Sequence, residues 1–187
     1  MSETPSNMLD IGTAAPGFSL TDLGGNLVSL SNFEGKPLLV IFSCNHCPYV
    51  LHILQSLSEF ANRAQLRGLA VVMINANDIT NYPDDSPEKM TLLARKYGFE
   101  FPYLLDESQQ VAIAYRAACT PDFFLFDTGH QLVYRGQYDD ARPGNDDSIN
   151  GKDLKAAVDA TLEGNEIPGE QLPSVGCNIK WRAGNEP

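Results

Sequence analysis

Two cysteines three residues apart, Cys44 and Cys47, close an apolar run, Leu38-Leu39-Val40-Ile41-Phe42, and an amphipathic pattern begins directly after Pro48. The run reads as a buried strand and the pattern as a helix, so the C-x-x-C falls at a helix N-terminus. The free N–H groups and the positive end of the dipole there favour an anion, and a thiolate is one. Thiol pKa values in such settings fall to roughly 3.5–7, against about 8.5 for an ordinary cysteine. The expected chemistry is thiol–disulfide exchange. Cys44 is expected to be the exposed attacking thiol, and Cys47, one turn on, the more buried resolving thiol.

The remaining composition fits one domain. The chain has 187 residues, 43 % of them hydrophobic, enough for a full core. Its formal charge of −11 argues against nucleic acid or an anionic membrane as partner. Residues 1–10 carry neither a basic end nor an apolar run, and no apolar stretch reaches the roughly 20 residues of a membrane span. The expectation is a cytoplasmic protein. Four cysteines in a chain of this length are too few for a disulfide scaffold. Structural zinc generally needs two tight pairs and only one is present, so no metal is expected. Asp139-Asp140 and Asp146-Asp147 read as loop carboxylates.

The elements that must position the cysteines follow in order. Met1–Asp10 reads as a flexible arm. Phe18-Ser19-Leu20, the turn Asp22-Leu23-Gly24-Gly25-Asn26 and Leu27–Leu30 form an N-terminal hairpin. Ser31 is expected to cap a short turn ending at Gly35. Leu38–Phe42 is apolar on both faces, as a central strand of a parallel sheet must be. Val50, Ile53, Leu54, Leu57, Ala61 and Ala64 recur at helical spacing, predicting a helix from about Pro48 to Arg67 that stops at Gly68. Leu69–Ile74 is a second buried strand. Asn75-Ala76-Asn77-Asp78 stands at its C-terminal end, where loops of an open α/β sheet line the ligand crevice. Asn45 and Asn77 are therefore candidate substrate contacts. Ser86-Pro87 opens a helix ending at Gly98. Pro102–Leu105 is a short strand, Ser108–Ala117 a short helix, and Phe123–Phe126 a strand with an antiparallel partner at Leu132–Arg135. A polar loop and a last helix, Lys152–Leu162, precede a tail of little periodicity, Glu163–Pro187. The order is a hairpin, then βαβα, then ββα. That is the plan of a thioredoxin fold, an α/β mixed sheet flanked by helices, with an N-terminal hairpin extension.

Particular residues carry a family resemblance. Gly12-x-x-Ala15-Pro16-x-Phe18-x-Leu20, Val28-x-Leu30 and Gly35-Lys36-Pro37 resemble the opening of the alkyl hydroperoxide reductase/thiol-specific antioxidant branch of the thioredoxin superfamily. Phe42-x-Cys44-Asn45-His46-Cys47-Pro48-Tyr49-Val50, Asn75-Ala76-Asn77-Asp78, Cys119-Thr120-Pro121-Asp122-Phe123-Phe124-Leu125 and Gly176-Cys177-Asn178-Ile179-Lys180-Trp181 are similar to its peroxiredoxin-like subgroup. The resemblance spans residues 11 to about 185. It implies that Pro121 is the cis-proline facing the C-x-x-C, and that Thr120 presents backbone groups to an extended substrate peptide. The departures also carry information. Thioredoxins place Trp before the first cysteine, Gly-Pro between the two, and a buried Asp six residues ahead. Here those positions hold Ser43, Asn45-His46 and Leu38. His46 resembles the histidine of the C-P-H-C of periplasmic disulfide oxidases, and an imidazole there stabilises the neighbouring thiolate. Potentials in the superfamily span about −270 to −120 mV, and an intermediate value is expected.

Peroxiredoxins cradle peroxide with Pro-x-x-x-Thr-x-x-Cys. Counting back from Cys44 gives Ile41 and Pro37, and from Cys47 gives Cys44 and Val40, so the hydroxyl is absent on either alignment. Arg116 or Arg135 would be the cation of such a site. Peroxidase activity is therefore the second expectation, and a non-catalytic redox-sensing module the third. The reading is a thiol–disulfide oxidoreductase whose site is Cys44, His46 and Cys47, with Thr120, Pro121, Asn45 and Asn77 binding substrate. Cys119, beside Thr120-Pro121, is expected to lie near Cys44. The partners implied are a protein or small-molecule disulfide, or a hydroperoxide, and a dithiol reductant. No organic cofactor is implied, because the cysteine pair carries the electrons. Residues 11–165 are expected as the domain. Residues 166–187 are expected to pack on it through Ile179 and Trp181, since leaving such side chains in water forgoes roughly 1.5–3 kcal/mol each, and to bring Cys177 towards the site.

Overall fold

A computed structural model describes residues 3–186. Its strands are β1 (Glu3–Pro5), β2 (Ser19–Asp22), β3 (Leu27–Ser29), β4 (Leu38–Phe42), β5 (Ala70–Asn75), β6 (Tyr103–Leu105), β7 (Cys119–Thr120), β8 (Asp122–Phe126), β9 (Leu132–Gly136) and β10 (Val175–Asn178). The helices are α1 (Pro48–Leu66), α2 (Pro87–Tyr97), α3 (Gln110–Ala114) and α4 (Lys152–Glu163). Seven strands form one mixed sheet in the order β3-β2-β6-β5-β4-β8-β9, and β1-β10-β7 form a small second sheet.

The apolar runs decide the sheet's centre. Every residue of β4 and of β5 is buried, and the two pair in parallel from Leu38↔Ala70 to Phe42↔Ile74. β8 closes the other edge of β4 antiparallel, with Phe42 opposite Asp122. Side chains alternate between the two faces of a strand, so two cores form. Leu39, Ile41, Val71, Met73, Phe123 and Leu125 meet the apolar stripe of α1 together with Leu154 and Val158 of α4. Leu38, Val40, Phe42, Phe124 and Phe126 face the other way, onto Phe18, Val111 and Tyr115. The helix signals act where they stand. Pro48 begins α1, Ser86 Oγ accepts the Lys89 N–H at the start of α2, and Gly98 takes the left-handed conformation (φ 65°) that closes α2.

Two expectations are corrected, at the N-terminal arm and at the short turn. The arm is not frayed over residues 3–10. β1 pairs with β10, Glu3 opposite Cys177, and Ser6 is buried against Ser174. Met1 and Ser2, the rest of that expectation, lie outside the described residues, as does Pro187 of the tail. Ser29, not Ser31, is the N-cap of the single turn Leu30–Phe33, because the Asn32 side chain accepts its N–H and closes a capping box. The tail, expected to pack on the domain through Ile179 and Trp181, carries a strand, β10, and buries Cys177 and Ile179. A two-sided edge-to-edge pairing of four residues leaves no periodic trace in the sequence.

Candidate active site

The β4 ladder continues one step past the strand, with the Ser43 N–H on the Ile74 carbonyl, and so delivers Cys44 at the sheet's C-terminal edge. Pro48 fixes the helix start, which makes Cys47 the N-cap of α1. The Thr120–Pro121 bond is cis, and Thr120 faces the pair with two oxygens. Cys44 Sγ lies 3.3 Å from Thr120 Oγ1, and Cys47 Sγ 3.1 Å from the Thr120 carbonyl oxygen. Cys177 Sγ lies 2.9 Å from Cys47 Sγ. Neither cysteine is exposed: Cys44 is 1 % and Cys47 0 % accessible. This corrects the expected exposure of Cys44. The peptide edge expected to be open at Thr120 is already occupied, by β10.

The electrostatics of the two thiols are also the reverse of the expectation. The Cys47 thiol is lowered to about 5, first by the Cys44 thiol donating to it and further by the Cys177 thiol and the Val50 N–H of the first helical turn. Cys44 is pushed well above the ordinary thiol range, first by that same bond to Cys47, then by burial and by the Asp85 carboxylate. The helix begins after Cys47, so Cys47 and not Cys44 receives the turn's donor. A depressed acid stabilises the folded reduced protein in full above its unfolded pKa, near 9. That stabilisation is lost as pH falls through about 5. The reduced protein should therefore show one thiolate rising in its 240 nm absorbance with a midpoint near 5, and Cys47→Ser should remove that step. A first midpoint near 9 would remove the case for an activated thiol.

Asp85 organises the loop between the cysteines. It is fully buried, and its carboxylate accepts the Asn45 N–H (2.6 Å) and Asn77 Nδ2 (2.7 Å) and lies 2.9 Å from His46 Nδ1. Hydrogen bonding to Asp85 raises His46 above its ordinary 6.5. The charged pair's contribution is thus complete below 6.5 and is lost as pH rises through the raised value. The His46 ring stacks on Tyr82, centroids 5.9 Å apart. Cys44 Sγ, a ring nitrogen of His46 and an Asp85 oxygen lie within 4.8 Å of one another, a mixed thiolate, imidazole and carboxylate donor set. Here the nitrogen and carboxylate are engaged with each other and with the loop.

Other expected site residues have structural work. Asn45 Nδ2 donates to the Asp84 carbonyl and Asn45 Oδ1 accepts the Tyr103 hydroxyl. Asn77 Oδ1 accepts the Lys180 N–H. Both amides are spent on the fold. Cys119 is buried beside the site, but its Sγ lies 3.5 Å from the Pro121 carbonyl and not on Cys44, because β7 turns it to the face opposite Thr120. Burial pushes its thiol well up. Arg135 bonds the Leu9 carbonyl and Gln171, so its guanidinium is committed at the far edge of the sheet. Sequence reasoning does not single out Asp85, although Asp84-Asp85 directly precede the helix-opening Ser86-Pro87. It also passed over Asp122, fully buried and raised to about 8 by that burial. A carboxylate opening the run Phe123–Phe126 was its signal.

A βαβ core with a C-x-x-C at the N-terminus of its first helix, opposite a cis-proline, defines the class: a thioredoxin-fold thiol–disulfide oxidoreductase. Residues 11–135 match the AhpC/TSA family, and the chain belongs to it. It is 29 % identical to the thiol-disulfide oxidoreductase ResA of Geobacillus kaustophilus over 129 residues, 69 % of this chain and 70 % of that protein. A crystal structure of a hypothetical protein from Sinorhizobium meliloti 1021 superposes with a TM-score of 0.94 at 52 % identity, covering 97 % of this chain and all of the other. The thioredoxin domain of a thiol-disulfide oxidoreductase from Bacteroides vulgatus shares the fold, with a TM-score of 0.58 at 23 % identity over 68 % of this chain and 88 % of that one.

Proposed function

We propose that this protein exchanges electrons with disulfides through Cys44 and Cys47, with Cys47 as the attacking thiolate and Cys44 as the resolving thiol. The observation that carries this is the place of Cys47 as the N-cap of α1, with Cys177 Sγ 2.9 Å from its sulfur. Thiolate attack on a disulfide sulfur forms a mixed disulfide and expels the other substrate sulfur as thiol. Cys44 then attacks Cys47 Sγ, releases the substrate as thiol and leaves Cys44–Cys47 oxidised. A dithiol reductant restores the pair. The Thr120 hydroxyl touches Cys44, and His46 with Asp85 holds the loop that presents it. The names of the curated relatives support this chemistry. Cytoplasmic residence belongs to the same proposal, and fractionation of the producing cell tests it.

Peroxidase activity ranks second. A peroxidase stabilises the leaving hydroxide with donors aimed at the peroxide. Around these thiols the near hydroxyl is Thr120 Oγ1, on Cys44 and not on the thiolate. The protein should catalyse reduction of insulin by dithiothreitol, and in stopped flow its oxidation by hydrogen peroxide should run at the rate of a small-molecule thiolate of matched pKa. Oxidation by peroxide many orders faster, with no insulin turnover, would reverse the ranking.

A further inference from the structure

The proposed cycle needs two cysteines, yet three meet at Thr120. β10 runs antiparallel to β7 with Cys177 opposite Thr120 and Asn178 opposite Cys119. That edge is where an extended peptide would add a strand. The chain's own strand holds it, and this places Cys177 Sγ 2.9 Å from Cys47 Sγ. The seat is built for this strand. A Cβ at Gly176 would fall inside van der Waals contact of the Thr120 carbonyl, so the backbones approach as closely as only glycine permits. Ser174 Oγ donates to the Pro121 carbonyl (2.6 Å). The Lys180 N–H donates to Asn77 Oδ1, and its carbonyl accepts the Asp78 N–H, which ties the strand's far end to the loop carrying Asp85. With β10 seated, neither Cys44 nor Cys47 is open to an outside disulfide.

We propose that Cys177 is a third redox thiol of this site, carried on β10 as an internal substrate strand, and that it exchanges with Cys47. This rests on the reading of Cys44–Cys47 as the redox pair. An incoming peptide displaces β10 to reach Cys47, and the strand's return displaces the peptide. In that return the Cys177 thiol attacks Cys47 Sγ of the mixed disulfide. The Cys47–Cys177 bond forms, the bond to the substrate breaks, and the substrate sulfur leaves with the proton that Cys177 lost. Cys44 then attacks Cys47 Sγ, so that the Cys44–Cys47 bond forms, the Cys47–Cys177 bond breaks, and the proton passes from Cys44 to Cys177. The second step is an isomerisation with no net electron transfer.

The test is disulfide mapping of the full chain. The reduced protein is oxidised with diamide, quenched in acid, alkylated, digested without reduction and read by mass spectrometry. Cys47–Cys177 peptides are expected beside Cys44–Cys47 in the wild type. In Cys44→Ser, which keeps β10 intact, Cys47–Cys177 should be the dominant intramolecular product. Gly176→Val keeps every cysteine but crowds the strand off β7, and should lower the Cys47–Cys177 yield about tenfold or more, because a seated strand supplies the high effective concentration of Cys177. Oxidised wild type with Cys44–Cys47 alone and Cys177 fully alkylated would overturn the proposal. So would a Gly176→Val yield equal to wild type. Insulin turnover read in parallel separates the two ideas: turnover without Cys47–Cys177 sinks the third thiol alone, and Cys47–Cys177 without turnover sinks the oxidoreductase reading alone.

Discussion

Cys47→Ser should lower dithiothreitol-driven insulin reduction by about a thousandfold or more, since an alcohol at neutral pH does not replace a thiolate as attacking group. The size of the effect follows from the geometry. Cys47 is the N-cap sulfur of α1 and its thiol is lowered to about 5, while Cys44 is pushed well up by its bond to Cys47, by burial and by Asp85. The same geometry says which variant captures substrate. A Cys44→Ser, Cys177→Ser protein leaves Cys47 with no thiol in contact to resolve it, so a mixed disulfide with a Cys47 peptide should persist through non-reducing gel electrophoresis. Cys47→Ser should capture none. Stable adducts on Cys44 in Cys47→Ser, with turnover lost equally in both variants, would return the attacking role to Cys44 and the resolving role to Cys47.

Asp85→Ala should cost about 3 kcal/mol of stability, the scale of breaking a buried charged pair and leaving its donors unpaired. Three groups lose their acceptor together: the Asn45 N–H, Asn77 Nδ2 and His46 Nδ1. For a domain of this size that is a fall in melting temperature of roughly 6–12 °C. Asp85→Asn, which keeps one acceptor oxygen, should lose about half as much. The pH dependence of the loss carries a sign. His46 is raised in the folded state, so its part of the difference between wild type and Asp85→Asn should be greatest at acid pH and shrink as pH rises through the His46 value. Urea denaturation at pH 5.5 and 8.5 measures both quantities. A loss below about 1 kcal/mol at either pH would mean that the loop is held by its backbone alone and that Asp85 is dispensable.

What could be read in advance follows from local physics. β4 and β5 are near-continuous apolar runs, and such runs can only be central strands once flanked by Gly, Pro and helix caps. α1 shows a single apolar stripe, and α2 carries its serine cap, first-position proline and terminal glycine. Each of these signals acts within four residues of itself, so order, element type and the place of the C-x-x-C follow from the chain alone. The missed features depend on partners far along the chain. Asp85 lies 40 residues from the Asn45 N–H it accepts, and in sequence it is one more acidic loop residue.

Cys177 lies 130 residues from Cys47, in a tail without periodicity, and β1 pairs with that tail across nearly the full length of the chain. Nor does the sequence separate two thiols three residues apart. Their order of acidity turns on where α1 begins, and on which of them meets Asp85 or Cys177. The sequence by itself determined a thioredoxin-fold protein with a redox-capable pair at a helix N-terminus, because strand, cap and helix signals are short-range. Only the tertiary structure decided which sulfur carries the charge, that both are closed off, and that the tail reaches them as a strand paired at Thr120. Burial and electrostatics at a point are sums over whatever the fold brings there.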